Sequence, residues 1–131
     1  MKNLLKFGAL ISLTLFALAF TSGESEGLQD CKILHEGTFT YGSTKDSIRV
    51  YIKGNKHRET HYNGKYTIES TLEWVSDCEY NTTLLSADLP NFPFEPGVVM
   101  NVKIVQIKGK EILYTATVNG NSWPGLFTKL E

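Results

Sequence analysis

Cysteine is scarce in this chain: Cys31 and Cys78 are the only two in 131 residues. They lack C-x-x-C spacing, and no cluster of further ligands lies near either. Both facts argue against a redox or zinc pair. Proline is nearly confined to one segment, with Pro90, Pro93 and Pro96 making up three of the four. There is no basic block. The 13 Lys+Arg against 14 Asp+Glu give a net charge of −1, which disfavours binding to a phosphate backbone and so a nucleic-acid partner. Past residue 20 no apolar run approaches the roughly 18 residues of a membrane span. No G-x-S-x-G, P-loop or dinucleotide fingerprint occurs, and no cofactor is expected.

The N-terminus has the organisation of an export signal. Lys2 and Lys6 form a positive start, Phe7 to Phe16 is almost wholly apolar, and Ala17-Leu18-Ala19 has small-x-small spacing. We therefore expect a signal peptide over 1–19, with a cut as late as 23, a lead-in over 20–34 and a domain over 35–131. Removing residues 1–19 takes away two lysines and no acid, leaving 11 cations against 14 acids, or −3. The expected destination is the periplasm or the outside of the cell. In such an oxidising compartment two cysteines most simply pair. The bridge would close a loop of about 48 residues, worth roughly 4 kcal/mol by the loop-entropy argument.

The remaining sequence alternates with period two. Ile48, Val50 and Ile52 share one face and Arg49, Tyr51 and Lys53 the other. Tyr66, Ile68, Ser70, Leu72 and Trp74 form a second such face, and Val98, Met100, Val102 and Ile104 a third. The phase then slips to Val105 and Ile107, which predicts a bulge near Ile104. Ile112, Tyr114, Ala116 and Val118 line a fourth face. Gly54-Asn55, Asn63-Gly64 and Asn119-Gly120 mark tight hairpins, and Leu126 to Leu130 supplies the closing strand. About eight short strands in sequence predict an all-β antiparallel meander barrel, with a two-sheet sandwich as the alternative.

Cys31, the Gly37-Thr38-Phe39 strand start and Trp74-Val75-Ser76-Asp77-Cys78-Glu79-Tyr80 together resemble a group of small exported bacterial envelope proteins, lipocalin-like in size and pattern. Short members of that group can carry a DNA-topoisomerase label, which a small, acidic, exported domain does not support. Phe39 stands where true lipocalins carry the Trp of their G-x-W strand. The resemblance implies a small exported barrel.

His57-Arg58-Glu59-Thr60-His61 invites comparison with the zincin H-E-x-x-H. Glu59 is displaced, however, and on a strand residues i and i+4 stand about 13 Å apart. The stretch is expected to be a solvated polar strand, with no metal site. The carboxylates Glu69, Glu73, Asp77 and Glu79 do not form a catalytic pair, and no catalytic residue is expected. Leu89 to Gly97 is expected to be an extended loop. Its Phe92 and Phe94 would fold over one barrel end or dock a partner. Trp123-Pro124 reads as a second exposed connection. The expectation is a non-catalytic module that holds a small apolar or amphipathic ligand among Tyr66, Trp74, Tyr80, Phe92, Phe94, Met100 and Tyr114. The alternative is a protein-binding module, an inhibitor or an envelope assembly partner, with a filled core.

Overall fold

A computed structural model describes residues 31–42 and 47–131. The expected export signal and most of the lead-in lie outside these residues. A short 3-10 turn, Cys31–Leu34, is followed by eight strands. These are β1 (Gly37–Thr40), β2 (Arg49–Lys53), β3 (Lys56–His61), β4 (Tyr66–Ser76), β5 (Glu79–Ala87), β6 (Val99–Lys108), β7 (Glu111–Val118) and β8 (Asn121–Lys129). Each pairs antiparallel with the next, and β1 pairs with β8, so the sheet is a closed meander barrel. The fold is the one expected from the alternation. It leaves no pair of separate sheets for a sandwich.

Register follows from turn chemistry. Asn119 and Gly120 both have positive φ, 50° and 82°, as the two central residues of a hairpin turn that matches strand twist must. That turn sets Val118 opposite Asn121, Ala116 opposite Trp123 and Tyr114 opposite Gly125. The expected bulge is present: the β6–β7 register shifts between Ile104 and Gln106, and Val105 turns outward. Closure is narrow, since β1 meets β8 only at Phe39–Lys129 and Thr40–Thr128.

Alternation gives the barrel a filled lower half. Phe39, Val50, Ile52, Leu72, Tyr80, Val102, Ile104, Ile112, Ala116 and Phe127 point inward and are buried. The end bearing the β4–β5 turn is stoppered by residues 31–34, which fall within the expected lead-in. Cys31 and Leu34 are buried within the core cluster, so they belong to the domain. Three ties hold the stopper. Cys31 and Cys78 form the expected disulfide. His35 stacks on Trp74 with ring centroids 3.6 Å apart, and its Nε2 lies 2.9 Å from the Asp77 carbonyl oxygen. Lys129 Nζ donates to the carbonyl oxygens of Ile33 and Glu36. Glu69 and Glu73 face outward, as their opposition to Leu72 and Trp74 requires.

Candidate functional site: a cavity at the loop-covered end of the barrel

Above the packed half the inward side chains stop filling the interior. Each strand contributes the residues one step further from the stopper: Tyr41 from β1's end, Ile68 and Ser70 from β4, Thr82 and Leu84 from β5, Val98 and Met100 at the head of β6. Val118 and Trp123, either side of the β7–β8 turn, complete the wall. Together they line a half-open cavity of about 180 Å³. Phe92 and Phe94, from the loop between β5 and β6, form its roof. Both are half-buried, and they pack edge to face with centroids 5.7 Å apart.

That loop is pinned at both ends. At its start Asp88 Oδ1 accepts the Thr67 amide hydrogen at 2.6 Å, and the Asp88 amide donates back to the Thr67 carbonyl. At its end the Gly97 amide donates to the Leu84 carbonyl at 2.8 Å, and the Leu84 amide to the Val98 carbonyl at 2.9 Å. Prolines at 90, 93 and 96 stiffen the span between. The expectation of a loop folded over one barrel end holds. The aromatic pair faces the interior rather than forming an exposed patch.

Strand β3 departs from the expectation of a solvated polar strand. The Gly54-Asn55 hairpin sets His57 opposite Ile52 and Glu59 opposite Val50, both inward positions. His57, Glu59 and His61 therefore point into the barrel, and the two histidines are buried. Glu59 is held by its neighbours: Tyr41 Oη donates to its Oε2 at 2.8 Å, and His61 Nε2 donates to the same oxygen at 2.7 Å. His57 and Glu59 line the cavity itself. Burial holds the His57 pKa below the usual imidazole value, although the Glu59 charge and the residue's own backbone pull the other way. Its Nδ1 is buried without a hydrogen-bond partner, and so is the phenolic oxygen of Tyr80. The two rings lie 6.4 Å apart. Among the described residues no three His, Cys, Asp or Glu side chains converge as a metal site would require.

The ligand-binding residues expected from the sequence divide into three groups. Phe92, Phe94 and Met100 line the cavity. Trp74 and Tyr80 belong to the packed half, edge to face at 4.9 Å, and Tyr114 stacks on Phe127 at 4.2 Å in the same half. Tyr66 faces inward at the rim, packed edge to face on Tyr62. Trp123-Pro124 is not a connection but part of β8, and Trp123 lines the cavity mouth because it pairs with inward Ala116. Tyr41, His57, Glu59, Thr82, Leu84 and Trp123 are the wall residues to which the sequence assigned neither a site role nor an inward face. Counting register outward from the Gly54-Asn55 and Asn119-Gly120 turns would have found three of them.

Fold and site define a closed eight-stranded meander barrel, stoppered at one end by a disulfide-tied turn and bearing a small, half-open, partly polar cavity at the other. No family model matches the chain, and comparison with curated proteins and with solved structures likewise returned no match.

Proposed function

We propose that the protein is a non-catalytic binder which holds a small apolar or amphipathic molecule between the packed half of the barrel and the Phe92/Phe94 roof. The single observation behind this reading is the cavity of about 180 Å³ walled by Ile68, Leu84, Met100 and Val118. Cores normally fill at crystal density, and each void left in one costs stability. A hollow lined by apolar side chains and roofed by two pinned aromatics is what a ligand site needs. A buried apolar cavity of about 150 Å³ is enough for benzene, so the buried part of the ligand is of the order of one ring or a short alkyl chain. The protein-docking alternative calls for a filled interior, so the cavity supports the small-molecule reading over it.

We place the protein outside the cytoplasm, in the periplasm or beyond. The Lys2-to-Ala19 export pattern and the Cys31–Cys78 bridge support that placement. No helix among the described residues is long and apolar enough to cross a membrane.

Native mass spectrometry of the protein recovered from its own cells, followed by denaturing extraction, tests the reading. The expected result is a non-covalent adduct that leaves on denaturation and is lost from a Phe92→Ser/Phe94→Ser variant. A bare mass under gentle conditions, with no adduct on adding small aromatic compounds, would count against it.

A further inference from the structure

The polar atoms inside the barrel restrict what can occupy it. His57 lines the cavity and its Nδ1 is buried without a hydrogen-bond partner, and Tyr80 Oη, in the packed half, is buried without one as well. A buried polar atom left unpaired costs more than a hydrogen bond returns, so a ligand that supplies the partner gains over one that does not. The charge pattern narrows the ligand further. Neither lysine nor arginine lines the cavity, whereas Glu59 does. A carboxylate or phosphate pushed inside would meet Glu59 with no cation to balance it. An ammonium group would find Glu59 already accepting from Tyr41 and His61 on one oxygen, and would add its own desolvation cost. A hydroxyl avoids both penalties. It both donates and accepts, so it can pair with Nδ1 in either imidazole tautomer.

We propose that the cavity selects an uncharged amphipathic molecule, a phenol or short-chain alcohol of about one ring's bulk, whose hydroxyl reaches His57 Nδ1 while its apolar body fills the space beneath Phe92 and Phe94. This rests on the binding reading above and specifies its chemistry. His57 is then the specificity-determining residue. It lies at the deep side of the cavity, so the polar group enters first and the apolar part faces the roof.

Four probes with a common p-tolyl body and different heads separate the outcomes: p-cresol, p-xylene, p-toluate and 4-methylbenzylamine. They are titrated calorimetrically into the disulfide-intact protein. The expected order puts p-cresol about tenfold tighter than p-xylene, the gain of one buried hydrogen bond, with both charged probes weaker still. In His57→Leu the p-cresol advantage should disappear and p-xylene should bind at least as well as before. In the unaltered protein the His57 ring ¹⁵N shift should move with p-cresol and not with p-xylene, which needs no variant. Equal binding of p-cresol and p-xylene, or tightest binding of either charged probe, would overturn the proposal and leave the cavity reading standing. Binding of none of the four would overturn both.

Discussion

Tyr41 and Glu59 are joined across the barrel interior by a 2.8 Å hydrogen bond from the phenol to the carboxylate, from the end of β1 to the middle of β3. No strand pairing links these two elements directly, since β2 lies between them. The bond therefore ties the strand at the narrow β1–β8 seam to the polar wall of the cavity. Hydrogen bonds to charged groups contribute about 1.5–3 kcal/mol when buried. Tyr41→Phe should lower unfolding free energy by about 1–2 kcal/mol, discounted because the pair is only partly buried. A double-mutant cycle with Glu59→Gln, read by denaturant midpoints, checks that the loss is shared rather than additive.

Acid should destabilise the protein through His57. Its pKa in the folded state is lowered by burial, so below about pH 6.5 the unfolded chain binds a proton that the folded barrel resists. Stability is thus present above that pH and falls as pH drops through and below it. Between pH 7.5 and 5.5 the loss attributable to His57 is up to about 1.4 kcal/mol if the folded imidazole stays neutral, and Glu59 facing it reduces that figure. Urea midpoints at the two pH values should differ less in His57→Leu than in the unaltered protein.

Alkali acts with the opposite sign on Tyr114. Burial, aided by the Glu59 charge, pushes its phenol up to about 12, and burial raises Tyr80 further. Stability contributed by these neutral phenols is complete below pH 10 and is lost as pH rises above it, because the unfolded chain ionises first. Absorbance at the phenolate band should show Tyr80 and Tyr114 failing to titrate near pH 10 until the protein unfolds.

Gly125 lies under the Tyr114 ring so closely that a Cβ there would overlap the ring. Its φ is not in the left-handed region, so the requirement is one of space alone. Gly125→Ala should cost about 1–3 kcal/mol by overpacking and disturb the Tyr114–Phe127 stack. A lowered melting temperature, with near-ultraviolet dichroism changed in the tyrosine region, is the expected signature.

Removing the bridge tests the stopper. Cys31→Ala/Cys78→Ala should cost about 2–4 kcal/mol, the usual range for a bridge closing a long loop. Hydrogen exchange should speed first at the β4–β5 turn and at the Ile104 amide, which donates to the Cys78 carbonyl.

Much of this fold was legible because inward residues are apolar where hydrophobic alternation can register them. Ile48-Val50-Ile52 and Ile112-Tyr114-Ala116-Val118 face inward as their spacing requires. The Ile104 bulge was legible for the same reason, as a phase slip in an apolar strand. The cavity wall was not, because β3 presents His57, Glu59 and His61 to the interior. Their spacing is that of a strand face, but hydrophobicity cannot distinguish a polar interior from a polar exterior. Only pairing across Gly54-Asn55 decides it. Trp74, Tyr80 and Tyr114 were correctly placed inside. Whether an inward aromatic lines a hollow or packs a core depends on its height along the barrel, and so on the stopper formed by residues 31–34. A four-residue turn with one lysine and no periodicity carries no such signal.

The central claim is that the roofed end of the barrel receives a small molecule. Methyl-resolved NMR during a p-cresol titration tests it most directly, because Met100, Leu84, Ile68 and Val118 surround the cavity, whereas Leu113 and Leu126 pair on the outer face. The expected result is saturable shifts at the four wall residues with Leu113 and Leu126 unmoved. Saturable shifts confined to the outer face, or none at the wall at millimolar p-cresol, would contradict the account.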